Sequence, residues 1–478
     1  MSIRKYYATQ DTTITNAFKT DLVTRGTNAN MGASDILEVF SIYGQTTSSA
    51  GYSNEKSRVL MQFDVNQVIA DRSAGIIPAS GSISFLLNLY NAKHVYDTPK
   101  NFKLIVAPIS RSWSEGEGLD MEGYTDVDYS NWQSASSTTA WTSPGGDYIT
   151  SSVYQQTFDI GTENLKVDIT PLVEQWIAGT TPNYGIGIYL TSSQESSTEK
   201  SYYTKRFFAR KSQFFFERPT LEAKFNDSKK DNRGNFYYSS SLLTAQENSQ
   251  TLYFYNYYRG NLRNIPDVGT GPIYINLYSG STGPTGSALQ TTITGGWAST
   301  GIYTASFSLN KPNPVLETIY DVWFYGGTQY YTGSFNPIVL SPSQHTDDSK
   351  YITKITNLKE IYYPDDEPVL RLYARPRNWY PNIYTTAQDT PDTSTIESAS
   401  YSVFRNIDNR RVIEHGTGSY KETLMSYDEM GNYFKFDMSL LEPDYSYSFE
   451  IAIYNDNSKA WDIQPETFKF RVENRKTE

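Results

Sequence analysis

Apolar residues in this chain return at every second position, in short runs closed by turn residues, and that period admits strands and excludes long helices. Val59, Met61, Phe63 and Val65 alternate, as do Ile83, Phe85, Leu87 and Leu89, and Leu221, Ala223 and Phe225 follow the same rule after Pro219. Ile36, Val39 and Phe40 form part of one more strand. Side chains two apart lie on one face of a strand, so each run covers a core on one side only. The segments Thr46 to Lys56 and Ser134 to Thr139 are rich in Ser and Thr and are expected to be exposed loops. Short strands between turn clusters are what a sandwich requires. The 40 tyrosines strengthen the β reading, because aromatic side chains suit a pleated, half-buried surface. At 478 residues the chain exceeds one core, and domain-size priors give about two to four domains.

One stretch breaks the alternation. From Lys166 to Leu190 a strand leads through Val-Asp-Ile-Thr-Pro to Leu172, Val173, Trp176 and Ile177, which share one face of a helix of about two turns, before Gly179 and Pro182 stop it. Thr170 is expected to cap this helix and Pro171 to open it, with Glu174 near the positive end of the dipole. So short a helix is unstable alone, so it should plug the open end of a sandwich with Trp176 as anchor. Ile186, Ile188 and Leu190 then re-enter a sheet.

This strand, helix, Asn-Tyr-Gly and strand order is similar to the late part of the DNRLRE-type β-sandwich, a jelly-roll module related to carbohydrate-binding domains. Earlier segments fit in sequence: Asn28-Ala-Asn-Met-Gly32, Arg58-Val-Leu-Met-Gln-Phe-Asp64, the strand from Ser82 to Tyr90, and Ser112-Trp-Ser-Glu115. The resemblance spans about residues 5 to 226. It departs after Trp113, where a Thr-Trp-Asn-like strand is replaced by a long acidic and Ser-rich excursion before Trp132 and Trp141.

Beyond it, Asn226 to Asn235 is a polar run without an apolar anchor and reads as a linker; Ser341 to Ser349 reads as a second break. The segments between resemble each other. Gly301-Ile-Tyr303 and Tyr320-Asp-Val-Trp-Phe parallel Gly431-Asn-Tyr433 and Tyr445-Ser-Tyr447-Ser-Phe. Leu441-Glu-Pro-Asp-Tyr-Ser-Tyr447 is similar to the tyrosine corner of immunoglobulin and fibronectin-type sandwiches, which makes Tyr447 a structural anchor. Ile361 to Leu372 resembles an early strand pair of macroglobulin-type sandwiches. The expected fold is all-β: a jelly-roll sandwich with one short helix at 1–227, then immunoglobulin-like sandwiches at 236–342 and 350–478.

The chain contains no cysteine, so it can form neither disulfides nor thiolate metal sites. Its opening residues carry no apolar run, which argues against a secretory signal or a membrane span. A net charge of −11, with scattered charges, argues against a phosphate-binding surface, so no nucleic acid or membrane partner is expected. Glu115, Glu117, Asp120, Glu122, Asp126 and Asp128 could offer oxygens to a hard cation, or a carboxylate pair to glycoside hydrolysis, but no EF-hand spacing or hydrolase motif accompanies them. A solvated loop is the simpler reading. His94, His345 and His415 stand isolated in sequence, so catalytic and metal residues are expected to be absent, and no cofactor is implied. Gly280 to Gly286 repeats glycine at period three but is too short for a triple helix and reads as a hairpin loop. Trp132, Trp141 and Tyr148 lie in the long loop and could stack on sugars or form an interface, with interface and core favoured.

No motif defines a reaction. A jelly-roll fused to tandem immunoglobulin-like domains resembles virion structural proteins of tailed bacteriophages, especially marine ones with contractile tails. That resemblance implies a non-enzymatic component of the tail, baseplate or neck, with capsid decoration next. It would be present in multiple copies, contact other virion proteins, and be assembled in the host cytoplasm. The alternative is a carbohydrate-binding adhesin at a particle or cell surface, for which a glycan would be the ligand.

Overall fold

The structure, a computed structural model, describes residues 2–48, 51–94, 99–119, 129–198, 200–340, 350–377, 393–455 and 458–475. It divides into Ser2–Phe225 and Asn226–Glu478.

The first unit is a jelly-roll sandwich whose opening strand serves both layers. Within Ile3–Thr15, residues Ile3 to Tyr7 pair with Thr220–Phe225, and after an irregularity between Ala8 and Gln10 the remainder pairs with Gly51–Phe63. A bulge bends a strand, which lets one strand pass from one sheet to the next. One layer continues through Thr220–Phe225, Ile83–Leu89 and Leu165–Asp168; the other through Gly51–Phe63, Ile186–Leu190, Phe102–Pro108 and Tyr154–Phe158. Ile36–Ser48 pairs with Gly51–Phe63 and Tyr202–Phe208. The alternating residues meet between the layers, where Phe63, Phe85, Phe102, Phe158 and Phe207 are at most 1% exposed.

This unit has more helix than the one element expected. Val65 belongs to no strand: the Asp64 carboxylate accepts the Asn66 N–H at 2.9 Å and caps helix α1 (Val65–Ser73). Val65 and Val68 are buried in the same core as the preceding strand, so a period-two pattern ran unbroken into a helical turn. Helix α2 (Thr170–Ile177) is present, but its cap differs from the expected one. Thr170 lies inside the helix; its N–H and hydroxyl donate to Asp168 Oδ1 at 2.9 and 2.6 Å, and the hydroxyl accepts the N–H of Phe85 at 2.8 Å. The threonine therefore ties α2 to a strand instead of capping it. Glu174 accepts both Arg72 Nη groups at 2.7 Å, which clamps α2 to α1. Trp176 is 4% exposed, beside buried Leu172 and Val173. Ser192–Glu195 adds a single helical turn.

In the second unit, residues 250–335 form a six-stranded antiparallel sheet in the order Gln250–Tyr255, Ile302–Phe307, Ala288–Ser299, Ile273–Ser279, Ile319–Tyr325, Thr328–Phe335. The loop around Gly280 to Gly286 joins two of these as a hairpin. Trp323 is fully buried, its ring 5.6 Å from that of Phe254. Residues 351–472 form a four-stranded and a five-stranded sheet. Aromatic rings fill the space between them: Tyr401 stacks on Phe434 at 4.3 Å, and Phe434 meets Phe449 edge-on at 5.3 Å. Ile361–Tyr362 and Val369–Pro376, read together as an early strand pair, enter different sheets and do not pair with each other. The Tyr447 hydroxyl donates to the carbonyl of Glu442 at 2.6 Å, five residues upstream, the geometry of a tyrosine corner.

The polar run Asn226 to Asn235 is packed, not a free linker. Tyr427 N–H donates to the Lys229 carbonyl at 3.0 Å and Asp231 N–H to the Tyr427 carbonyl at 3.1 Å. Asn232 Nδ2 reaches the Tyr427 hydroxyl at 3.0 Å, and Arg233, 8% exposed, forks onto Asp321 at 2.6 and 2.9 Å. Polar residues line this run because they hydrogen-bond to strands on both sides. The break expected at Ser341 to Ser349 lies outside the described residues.

Candidate functional site

The described part of the long loop in the first unit, from Tyr129 onward, builds a satellite core rather than a sugar platform. Trp132 and Trp141 are 6% and 5% exposed and pack with Ile14, Leu60, Ile109 and Trp113, with Tyr148 against them. The Trp141 Nε1 donates to the Asn131 carbonyl at 2.8 Å. Arg58 occupies the place a ligand would need. Its guanidinium carbon lies 5.4, 5.6 and 5.1 Å from the ring centres of Trp132, Tyr148 and Tyr189, and it forks onto Glu195 at 2.9 and 2.6 Å. Burial opposes the charge on Arg58 most strongly, but the hydrogen bonds and charges of Glu195 and Tyr148 together outweigh it and hold its pKa above the ordinary value. An aromatic cage attracts cations, and here the chain fills its own. Gly187 permits the closure, because a Cβ there would run into the Tyr148 ring. Trp132, Trp141 and Tyr148 are thus brought together as core.

The acidic run is divided. Residues 120 to 128, and with them Asp120, Glu122, Asp126 and Asp128, lie outside the described residues. Glu115 accepts the Asp11 N–H at 2.8 Å and both Nε and Nη2 of Arg210, with Nε at 2.7 Å. Glu117 lies 3.5 Å from the Tyr129 hydroxyl. Gly116 has φ +89°, and a Cβ there would overlap the amide of Asn30, which itself accepts the N–H groups of Gly32 and Gly118 at 3.2 and 3.1 Å. Two motifs far apart in sequence, around Asn30 and Glu115, therefore form one polar knot. Among the described residues no group of three His, Asp or Glu side chains is placed to hold a metal.

His415, isolated in sequence, is not isolated in space. Its Nδ1 lies 3.3 Å from the Ser400 hydroxyl and its Nε2 3.3 Å from Glu450 Oε1. These are the groups of a hydroxyl–imidazole–carboxylate relay. Ser400 is fully buried on its strand and shares its hydroxyl with Thr423 at 2.7 Å, so no substrate atom reaches it. Burial lowers the His415 pKa despite the Glu450 contact.

What does face solvent is a hairpin the sequence did not single out. Tyr257–Tyr258 pairs with Asn261–Leu262 across Arg259 and Gly260. Tyr257 and Tyr258 are 62% and 51% exposed, and the guanidinium carbons of Arg259 and Arg263 lie 5.3 and 5.1 Å from the Tyr258 ring centre. Trp297, 39% exposed, donates to Asn264 Oδ1 at 3.1 Å, and the same oxygen accepts the Gly301 N–H at 2.7 Å. The hairpin is thus held beside the tryptophan. In the same unit an open cavity of about 300 Å³ is lined by Arg233, Tyr320, Tyr331, Thr332, Gly333, Ser334 and Glu429.

No family model and no curated protein matches this chain. Among solved structures, the titin Ig tandem domains A164-A165 align at 8% identity over 42% of this chain and 83% of that one, with a TM-score of 0.15. A DUF4785 family protein from Legionella pneumophila aligns at 10% identity over 97% of this chain and 91% of that one, also with a TM-score of 0.15. At these values the description of the fold stands on the strand pairing above.

Proposed function

We propose that this chain is a non-enzymatic structural protein of a bacteriophage virion, a part of the tail, baseplate or neck before a capsid decoration, acting through contacts with other virion proteins. The observation that supports contact as its function is the exposed cluster of Tyr257, Tyr258, Arg259, Arg263 and Trp297. Tyr, Trp and Arg dominate the energetics of protein interfaces. A β fold suits such a part because its strand pairing holds the cluster without disulfides. The step from interface protein to virion component rests on the sequence resemblance. Loss of a hot-spot side chain costs about 2 kcal/mol, so Tyr258→Ala should weaken binding to isolated particles lacking this chain by about 30-fold, with an unchanged melting curve. Equal binding of variant and parent would overturn the assignment of the contact surface; absence of the chain from purified particles would overturn the virion reading.

A second reading, saccharide binding, is favoured by the open cavity beside Tyr331, since a ring face, a carboxylate and hydroxyls are groups that hold sugars. Glycan-array binding abolished by Tyr331→Ala would establish it.

A further inference from the structure

Lys205 is 2% exposed on the strand Tyr202–Phe208. A lysine is almost never buried this far unless a carboxylate pairs with it. The partners at its Nζ are neutral: Asn91 Oδ1 at 2.5 Å, the Glu163 carbonyl at 2.7 Å and the Gly161 carbonyl at 3.0 Å. The Glu163 carboxylate is turned away and accepts the N–H groups of Ile160 and Gly161, each at 2.7 Å. The ring centres of Phe158 and Phe207 both lie 5.0 Å from Nζ. Asn91 is fixed as firmly as the lysine, because its N–H donates to Asn164 Oδ1 at 2.8 Å and its backbone bridges to Phe207.

We propose that Lys205 and Asn91 join in an intramolecular isopeptide bond, the buried amine attacking the side-chain amide it touches. An amine becomes nucleophilic when an apolar pocket strips its charge, and burial pushes the Lys205 ammonium down to about 8. In the neutral amine the carbonyls of Gly161 and Glu163 hold both N–H groups, so Nζ no longer donates to Asn91 Oδ1 and its lone pair turns to the adjoining Cγ. The bond between Nζ and Asn91 Cγ forms, and the bond between Cγ and Nδ2 breaks. One proton passes from Nζ to Nδ2, which departs as ammonia. No oxidant or cofactor enters the balance. The rings of Phe158 and Phe207 keep water from the product amide. The link would join residues 114 apart in sequence and fasten the strand Tyr202–Phe208 to the end of Ile83–Leu89 in the opposite layer. In a chain without cysteine it takes the place of a disulfide.

Intact-mass measurement of the full-length protein, followed by peptide mapping, tests this. The chain should be lighter than its sequence by one ammonia, and digestion should yield a branched peptide joining Lys205 to Asn91. Lys205→Met and Asn91→Ala should each restore the full mass of their own sequences. Because the branched peptide is read on the parent protein, the result does not depend on how well either variant folds. A parent chain of full sequence mass after incubation above the amine's pKa would overturn the proposal. So would loss of ammonia without a branched peptide, which is the mark of a succinimide at an asparagine.

Discussion

Asp11 shows how one residue couples this fold to pH. It is fully buried beneath Glu115 and Arg210, and its Oδ2 accepts the Arg210 N–H at 2.6 Å. Burial nevertheless pushes its pKa from 3.8 up to about 7. A carboxyl that keeps its proton in the folded state while releasing it in the unfolded one gives the native state the greater proton uptake between those two values. Its contribution to stability is complete below 3.8 and lost as the pH rises through about 7. The first unit should therefore melt at falling temperature across that window, and Asp11→Asn, which cannot ionise, should flatten the slope. A parent whose first transition is level there, or a slope that survives the substitution, would refute this assignment.

At the scale of elements, α2 is held by three different means: the Trp176 side chain in the core, the Arg72–Glu174 fork to α1, and the Thr170 hydroxyl on Phe85. Removal of a buried tryptophan side chain costs about 3 to 5 kcal/mol, so Trp176→Ala should lower the first unfolding transition and leave the second in place. The indole N–H has no hydrogen-bond partner, so Trp176→Phe, which keeps a ring and deletes that orphaned donor, should cost clearly less. Calorimetry of the two variants separates ring packing from any role of the N–H; equal losses would mean that the ring is not what seals the sandwich.

For the molecule as a whole, Arg233 decides how much of the second unit unfolds together. It pairs with Asp321 among side chains that are 7% and 0% exposed, and Asp321 also accepts the Trp323 Nε1 at 2.7 Å. The adjoining residues hydrogen-bond to Tyr427, and the Tyr255 hydroxyl lies 3.3 Å from that of Tyr433, so residues 250–335 and 351–472 share one seam. Breaking a buried pair by removing one partner costs about 3 to 5 kcal/mol, because a buried charge is left uncompensated. Arg233→Ala should lower the second transition by that amount without moving the first, and should open Asn226 to Asn235 to proteases that leave it intact in the parent. Cleavage of the parent at this run before any other site would contradict the packed seam.

Strand alternation, the Trp176 helix and the Tyr447 corner were legible in the sequence because each rests on contacts or conformations within a few residues. The Ser- and Thr-rich segments Thr46 to Lys56 and Ser134 to Thr139, expected as exposed loops, instead fall mostly in the strands Ile36–Ser48, Gly51–Phe63 and Ser134–Ser136, with Glu55 and Ala135 buried, because polar composition does not keep a backbone from pairing into a sheet. Other features depended on contacts across the fold. Arg58 filling the cage of Trp132, Tyr148 and Tyr189, Ser400 meeting His415, and Lys205 meeting Asn91 all join residues that no local spacing relates. The α1 helix was hidden because Val65 continued a period-two pattern, although Asp64 carried the capping signal. The run Asn226 to Asn235 misled for the opposite reason: polar composition describes what a segment can bond to, not whether water or protein supplies the partner. That choice belongs to the tertiary structure, which alone decides where a polar side chain finds its complement.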